Sequence, residues 1–212
     1  MKVALIYIFP QVAAHTYEPL ARRFTQTYLA NPPGVEPHDL HVISNGGDIT
    51  EHQRKLFDPL PVTHHTHNNV GKDVGAFQMA AETIPCDLML CLGSHVHFWR
   101  AGWLDQIVGV FLDNGPGLYG CWAFHQPADH IRTTAFWLPP EVLRSYPSWI
   151  GDHQRYAFEH DRQNSITAWC RKVGFPTLQV TWNRVLDYDH WDHVIRNETL
   201  LLDQHCDHQG WG

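Results

Sequence analysis

Positive charge is scarce in this chain. Lysine and arginine number 15 against 22 aspartates and glutamates, a net charge of −7, and nowhere do the basic residues form a run. Without a basic stripe the surface lacks the electrostatic footprint that nucleic acid requires, which excludes nucleic acid as the main partner. A single nucleotide is not excluded, because a divalent ion neutralises a diphosphate locally. Long apolar runs are missing too. No stretch reaches the ~18 apolar residues that cross a bilayer, so no transmembrane segment is expected. The opening run Met1-Lys2-Val3-Ala4-Leu5-Ile6-Tyr7-Ile8-Phe9 stops at Pro10 and reads as a buried first strand, not a signal peptide. Cysteine is sparse: Cys86, Cys91, Cys121, Cys170 and Cys206 are scattered without CxxC spacing. That odd set suits reduced thiols in a cytoplasmic protein. Neither HExxH nor a clustered zinc motif occurs.

What is present is enough for a folded domain. Hydrophobic residues make up 43% and charged residues 17% of 212 residues, which fits one compact domain and not a disordered chain. Apolar runs read as strands at 3–9, 40–43, 62–67, 87–92, 118–122, 133–137 and 177–182. Helical spacing is expected at 19–29, 73–82, 101–111, 141–145 and 165–173, the last with Ser165 as N-cap. The alternation implies a three-layer α/β sandwich with a mixed, mainly parallel sheet. Ligands of such sheets lie past the carboxyl ends of the strands. The cleft is therefore expected where the loops after Phe9, Ile43, His67 and Leu92 converge. Strand-end position points to Phe9, Pro10, Gln11 and Asn45 as contacts for a base and ribose. From about 183 to 212 the chain is expected to be irregular.

Histidine and tryptophan are abundant, at 17 and 9 residues. Histidine invites a metal reading. Tryptophan invites sugar stacking, or else ordinary core packing. The segment from His67 to Phe77 is polar, carries Gly71 and Gly75, and opens a helix. Backbone N–H groups there suit an anion, Lys72 adds charge, and Asp73 can accept from a ribose. Equally, Asp73 caps the helix and the glycines only turn the chain. His64, His65 and His67 precede the loop of residues 68–71 and are read only as lining. His190-x-x-His193 is a second-rank metal candidate.

The run NNVGKDVGAFQMA, then DLMLCLG and FWRAGWLDQI, and later HIRTTAFWLPPEVL and RYAFEHDRQNSITAW, resembles nucleotide-sugar glycosyltransferases of the GT-A type over most of the chain. The likeness is greatest to the N-terminal glycosyltransferase domains of chlorella-virus proteins that act on a capsid glycan. The resemblance implies a hexosyl- or deoxyhexosyltransferase with a UDP-sugar donor, a glycan or protein-linked glycan acceptor and Mn²⁺ (or Mg²⁺), at work in the host cytoplasm if viral. It implies one domain, 1–212, whose His- and Trp-rich tail closes the site. Gly75 and Ser94 join the donor contacts on this reading.

One departure stands out. Where such enzymes carry Asp-x-Asp after the fourth strand, this chain reads Gly93-Ser94-His95-Val96-His97. Imidazole accepts Mn²⁺ or Zn²⁺, and residues two apart share a face in extended chain, so His95 and His97 are the substitute ligands. The alternative is that one is packed and the other solvated. The tail group Asp203-x-His205-x-x-His208 supplies His205 and His208. For the general base of an inverting transfer, Glu159 is preferred and Asp152 is the competitor. Glu159 can also be read as a surface acid paired with Arg155 at helical spacing. Two other functions fit parts of the pattern: a His-rich metallohydrolase built on HxH and DxHxxH, and a non-catalytic sugar-binding module that uses the tryptophans.

Overall fold

The computed structural model describes residues 1–126, 128–192, 197–204 and 206. Chain order is β1 (Val3–Pro10), α1 (Ala14–Ala30), β2 (His38–Asn45), α2 (Glu51–Arg54), β3 (Val62–His67), α3 (Lys72–Thr83), β4 (Leu88–Leu92) and α4 (Trp103–Asn114). There follow β5 (Leu118–Gly120), β6 (Ala123–Phe124), β7 (His130–Ile131), β8 (Ala135–Leu138), α5 (Pro140–Arg144), α6 (Arg155–His160), α7 (Ile166–Val173), β9 (Thr177–Val180) and β10 (Val185–Leu186).

An eight-stranded sheet runs in the order β10-β9-β5-β8-β4-β1-β2-β3. Its β4-β1-β2-β3 half is parallel. β8 runs antiparallel between β4 and β5, β9 pairs in parallel with β5, and β10 turns back on β9. β6 and β7 form a separate antiparallel ladder. The expected mixed, mainly parallel sandwich is the fold observed. It forms because β1 is apolar at successive positions and its side chains alternate between two covered faces. Val3, Leu5, Tyr7 and Phe9 pack on one side with Phe24 of α1 and Trp103 of α4. Ala4, Ile6 and Ile8 pack on the other with Val74 and Phe77 of α3. Trp103, Trp122 and Trp137 are fully buried, so these three serve the core and not sugar stacking.

Several boundaries differ from those expected. α1 starts at Ala14 and carries Pro19 inside it, where the helix forgoes the bond that an N–H at position 19 would donate to the carbonyl of residue 15. α2 is short and is held by a capping box between Thr50 and Gln53. The segment after 183 is not wholly irregular: β10 extends the sheet, and residues 199–202 return to it through the bridges Thr181–Thr199 and His97–Leu202.

Candidate active site

A cavity of about 420 Å³ opens at the carboxyl ends of the parallel strands. Pro10 comes from the end of β1, Asn45 from β2, Lys72 and Asp73 from the start of α3, and Ser94 and His95 from the exit of β4; all line it. A second cavity of about 380 Å³ shares Lys72, Thr134, Arg155 and Gln204 with the first and adds Asp152, Tyr156, Glu159 and His160. Sequence reasoning missed Thr134, Arg155 and Gln204 as site residues. They have no local signature, and only tertiary contacts bring them together: Arg155 of α6 meets Asp73 at the start of α3, and the returning tail meets the exit of β4 and Thr134.

The loop between β3 and α3 is held in an unusual backbone state. Asn69, Gly71 and Lys72 all have positive φ, at 69°, 74° and 56°. A side chain at Gly71 would meet the Ile150 carbonyl at 2.0 Å, so only glycine fits. The Gly71 N–H donates to Asp152 Oδ1 at 2.7 Å. Left-handed backbone on a bulky residue such as Lys72 is costly, and such strain collects at functional sites.

Arg155 is the hub between the cavities. Its Nε donates to Asp73 Oδ1 at 2.5 Å and its Nη2 to Asp73 Oδ2 at 2.9 Å, a bidentate pair. Nη2 also reaches Thr133 Oγ1 at 3.0 Å, and Nη1 reaches Glu159 Oε2 at 3.3 Å. Burial works against the guanidinium's charge, but Asp73 and Glu159 outweigh it and raise its pKa. For Glu159, burial alone would raise the pKa; the Arg155 charge and the Thr133 hydroxyl reverse that and hold it below the usual carboxylate range.

The candidates of the sequence divide accordingly. The side chain of Phe9 is buried against Phe57 in the core and is turned away from the cavity, because alternation presents Ile8 and Pro10 to the cavity instead. Gln11 bonds Ser44 and Gln53, so its amide is spent on the loop. Gly75 is a packing residue: a Cβ there would lie 1.9 Å from the Val70 carbonyl. Asn45 lines the cavity while its Oδ1 meets His67 Nδ1 at 2.8 Å. Glu159 is buried, not a surface acid. Asp152 is exposed on the second cavity.

His95 lines the first cavity, whereas His97 is buried and exchanges two 3.0 Å backbone hydrogen bonds with Leu202. His205 and His208 lie outside the described residues. Among the described residues, the exit of β4 offers a divalent ion the imidazole of His95 and no carboxylate, since Asp73 is engaged by Arg155. That set does not make a manganese site, so no step is derived through a metal there. Asp203, fully buried, accepts from the Thr134 hydroxyl and sits 3.8 Å from Arg132 Nε. A different trio, His130, Glu159 and His160, presents ligand atoms that all lie within 4.8 Å of one another.

No family model matches the chain, and no curated protein matches it in sequence. Solved structures do resemble it. Mouse xyloside xylosyltransferase 1 superposes with a TM-score of 0.52 at 11% identity, over 82% of this chain and 82% of that one. TarS of S. aureus gives 0.53 at 10% identity, over 80% of this chain and 33% of its own. The mannosyltransferase of Pyrobaculum calidifontis, solved with GDP-Man and Mn²⁺, gives 0.52 at 11% identity, over 69% of this chain and 46% of that one. The chain thus spans about half the length of the mannosyltransferase. At such identities the likeness establishes the fold: that of the GT-A nucleotide-sugar transferases. No helix among the described residues is long and apolar enough to cross a membrane.

Proposed function

We propose that the chain is a glycosyltransferase that moves a sugar from a nucleotide-sugar, UDP-sugar in the first instance, to a glycan acceptor. The observation that carries this reading is the junction of two cavities across Lys72, Thr134, Arg155 and Gln204. Group transfer needs a donor side and an acceptor side that meet at one point. The donor occupies the first cavity, with its base and ribose toward Pro10, Asn45 and Asp73 and its diphosphate against Lys72 and Arg155. Lys72 supplies charge that the sequence assigned to a metal, and Arg155, already paired with Asp73 and Glu159, supplies N–H donors. UDP is the donor that the sequence resemblance implies, and a nucleotide-sugar complex of the same fold supports the class. Mn²⁺ at His95 would need His205 and His208 to complete its ligands.

The acceptor enters the second cavity. Tyr156, 67% exposed at its rim, offers an aromatic face to a sugar. Asp152 is the better general base. Glu159 has one oxygen engaged by Thr133 and Arg155 and a lowered pKa, which makes it a weak base, whereas Asp152 keeps one oxygen outside its bond to Gly71.

Calorimetry with UDP tests the donor site. Lys72→Gly, which relieves the left-handed strain, should keep the fold and weaken UDP about 10-fold, the loss of one charge-assisted contact. Asp152→Asn, still able to accept from Gly71, should bind UDP normally yet slow transfer by roughly 10²–10⁴-fold. If neither UDP nor GDP binds the folded protein, with or without Mn²⁺, the reading is wrong. If EDTA abolishes UDP binding, the diphosphate is held by a metal and not by Lys72 and Arg155.

A further inference from the structure

The cluster at the end of α6 has no task in that scheme. His130 stands on β7, one strand of the small ladder, and Glu159 and His160 close α6. Glu159 Oε1 lies 3.9 Å from His130 Nε2 and 3.5 Å from His160 Nε2. These separations are longer than ordinary hydrogen bonds. They fit something else: an ion bound at about 2.0–2.1 Å keeps tetrahedral ligands roughly 3.3 Å apart. We propose that His130 Nε2, Glu159 Oε1 and His160 Nε2 together bind one divalent first-row transition ion, of the zinc or cobalt class, in the wall of the second cavity.

Two of the three ligand atoms are directed by a neighbour, while the Nδ1 of His160 is buried without a hydrogen-bond partner among the described residues. His130 is 3% exposed and its Nδ1 sits 2.7 Å from the Ala128 carbonyl. That carbonyl can only accept, so it keeps the ring proton on Nδ1 and leaves the Nε2 lone pair for a metal. The other oxygen of Glu159, Oε2, is held by Thr133 and Arg155, which turns Oε1 to the two imidazoles. The ladder that carries His130 is itself anchored: Asp129 accepts from the Tyr188 hydroxyl at 2.6 Å, and His125 stacks on Trp191. Two cations stand near, and both have acids of their own, Arg155 with Asp73 and Arg132 with Asp203. The added positive charge of an ion therefore meets a locally compensated site.

Two imidazoles and one carboxylate form the ligand set of ions that keep open positions. Glu159 and His160 line the second cavity, so an open position faces the space assigned to the acceptor. A hydroxyl there would be made more acidic by the ion. This last point rests on the transferase reading; the ion site does not.

The test needs no nucleotide. Protein stripped with EDTA and exchanged into chelator-free buffer is titrated with Co²⁺, read by its visible absorption, and then with Zn²⁺ in competition. One ion per chain is expected. His160→Gln and His130→Gln should each weaken it by on the order of 100-fold, with an unchanged circular dichroism spectrum, and His95→Ala should leave it intact. His160 is only partly buried, so its variant should fold even if that of His130 does not. No binding, or binding that survives both glutamine variants, overturns the proposal; so does loss in His95→Ala alone, which would put the ion at the exit of β4. Because UDP is absent, ion binding without nucleotide binding refutes the transferase alone, and the reverse result refutes the ion site alone.

Discussion

At the scale of single residues the chemistry gathers on Arg155. The Asp73 carboxylate meets the Nε–Nη2 edge of its guanidinium with both oxygens, and the pair is mostly enclosed, with side-chain exposures of 19% for Arg155 and 25% for Asp73. Removing one partner of such a pair leaves the other charge poorly compensated. Asp73→Asn should lower stability by about 2 kcal/mol and also weaken UDP, since Arg155 would lose its orientation. Denaturant unfolding measures the first effect and calorimetry the second. Normal UDP affinity in the folded variant would remove Asp73 from the donor site and leave it a purely structural acid. Arg155→Lys should behave almost as badly, because an ammonium cannot reproduce the bidentate contact. Asp73 was legible in the sequence from its place after Gly71; its partner, 82 residues away, was not.

Elements carry a second set of expectations. In α3, Gly75→Ala puts a methyl 1.9 Å from the Val70 carbonyl, a backbone atom that cannot yield cheaply. In α4, Gly109 has nothing within 4 Å of its added Cβ. Gly75→Ala should cost at least about 2 kcal/mol, whereas Gly109→Ala should gain roughly 0.5–1 kcal/mol from helix entropy. Thermal unfolding of the two variants should therefore shift in opposite directions. The β2–β3 edge is sensitive to acid. His41 Nδ1 and His65 Nε2 lie 3.0 Å apart, a contact that needs one neutral ring. Burial lowers the pKa of His41, His64 and His65 below the ordinary histidine value of 6.5. Mutual repulsion and the charge of Arg54 on His64 push the same way, and Asp39 and Asp58 push back. With folded pKa values below unfolded ones, the unfolded chain binds more protons, so stability falls as pH drops through 6.5 and is complete above it. His65→Gln should flatten the change in unfolding free energy between about pH 7.5 and pH 5.5. An equal pH slope in the variant would show that this edge is not responsible.

For the whole molecule the decisive piece is the returning chain. Leu200, Leu201 and Leu202 are at most 1% exposed, and Asp203 closes on Thr134 inside the first cavity's wall. Burying each leucine contributes about 1.5–3 kcal/mol, which together rivals the ~5–15 kcal/mol that separates folded from unfolded chains. A chain truncated after Glu198 should therefore lose cooperative unfolding, as followed by tryptophan fluorescence against urea. A sharp transition at the full-length midpoint would show that residues 199–204 only decorate the fold.

The sheet, its mainly parallel pairing and its approximate strand limits were determined by the sequence alone. A strand covered on both faces is apolar at successive positions, a helix repeats every three to four residues, and both patterns are local. The mouth of the first cavity was legible for the same reason, since strand ends in this architecture converge by rule. Local patterning also has limits: it placed Phe9 in the site, where one step of the strand's alternation turns it into the core. Distant pairs leave no such trace. Only the tertiary structure joined Arg155 to Asp73, Asp203 to Thr134 and His130 to Glu159 and His160, because each pair is brought together by packing between elements whose separation along the chain carries no period.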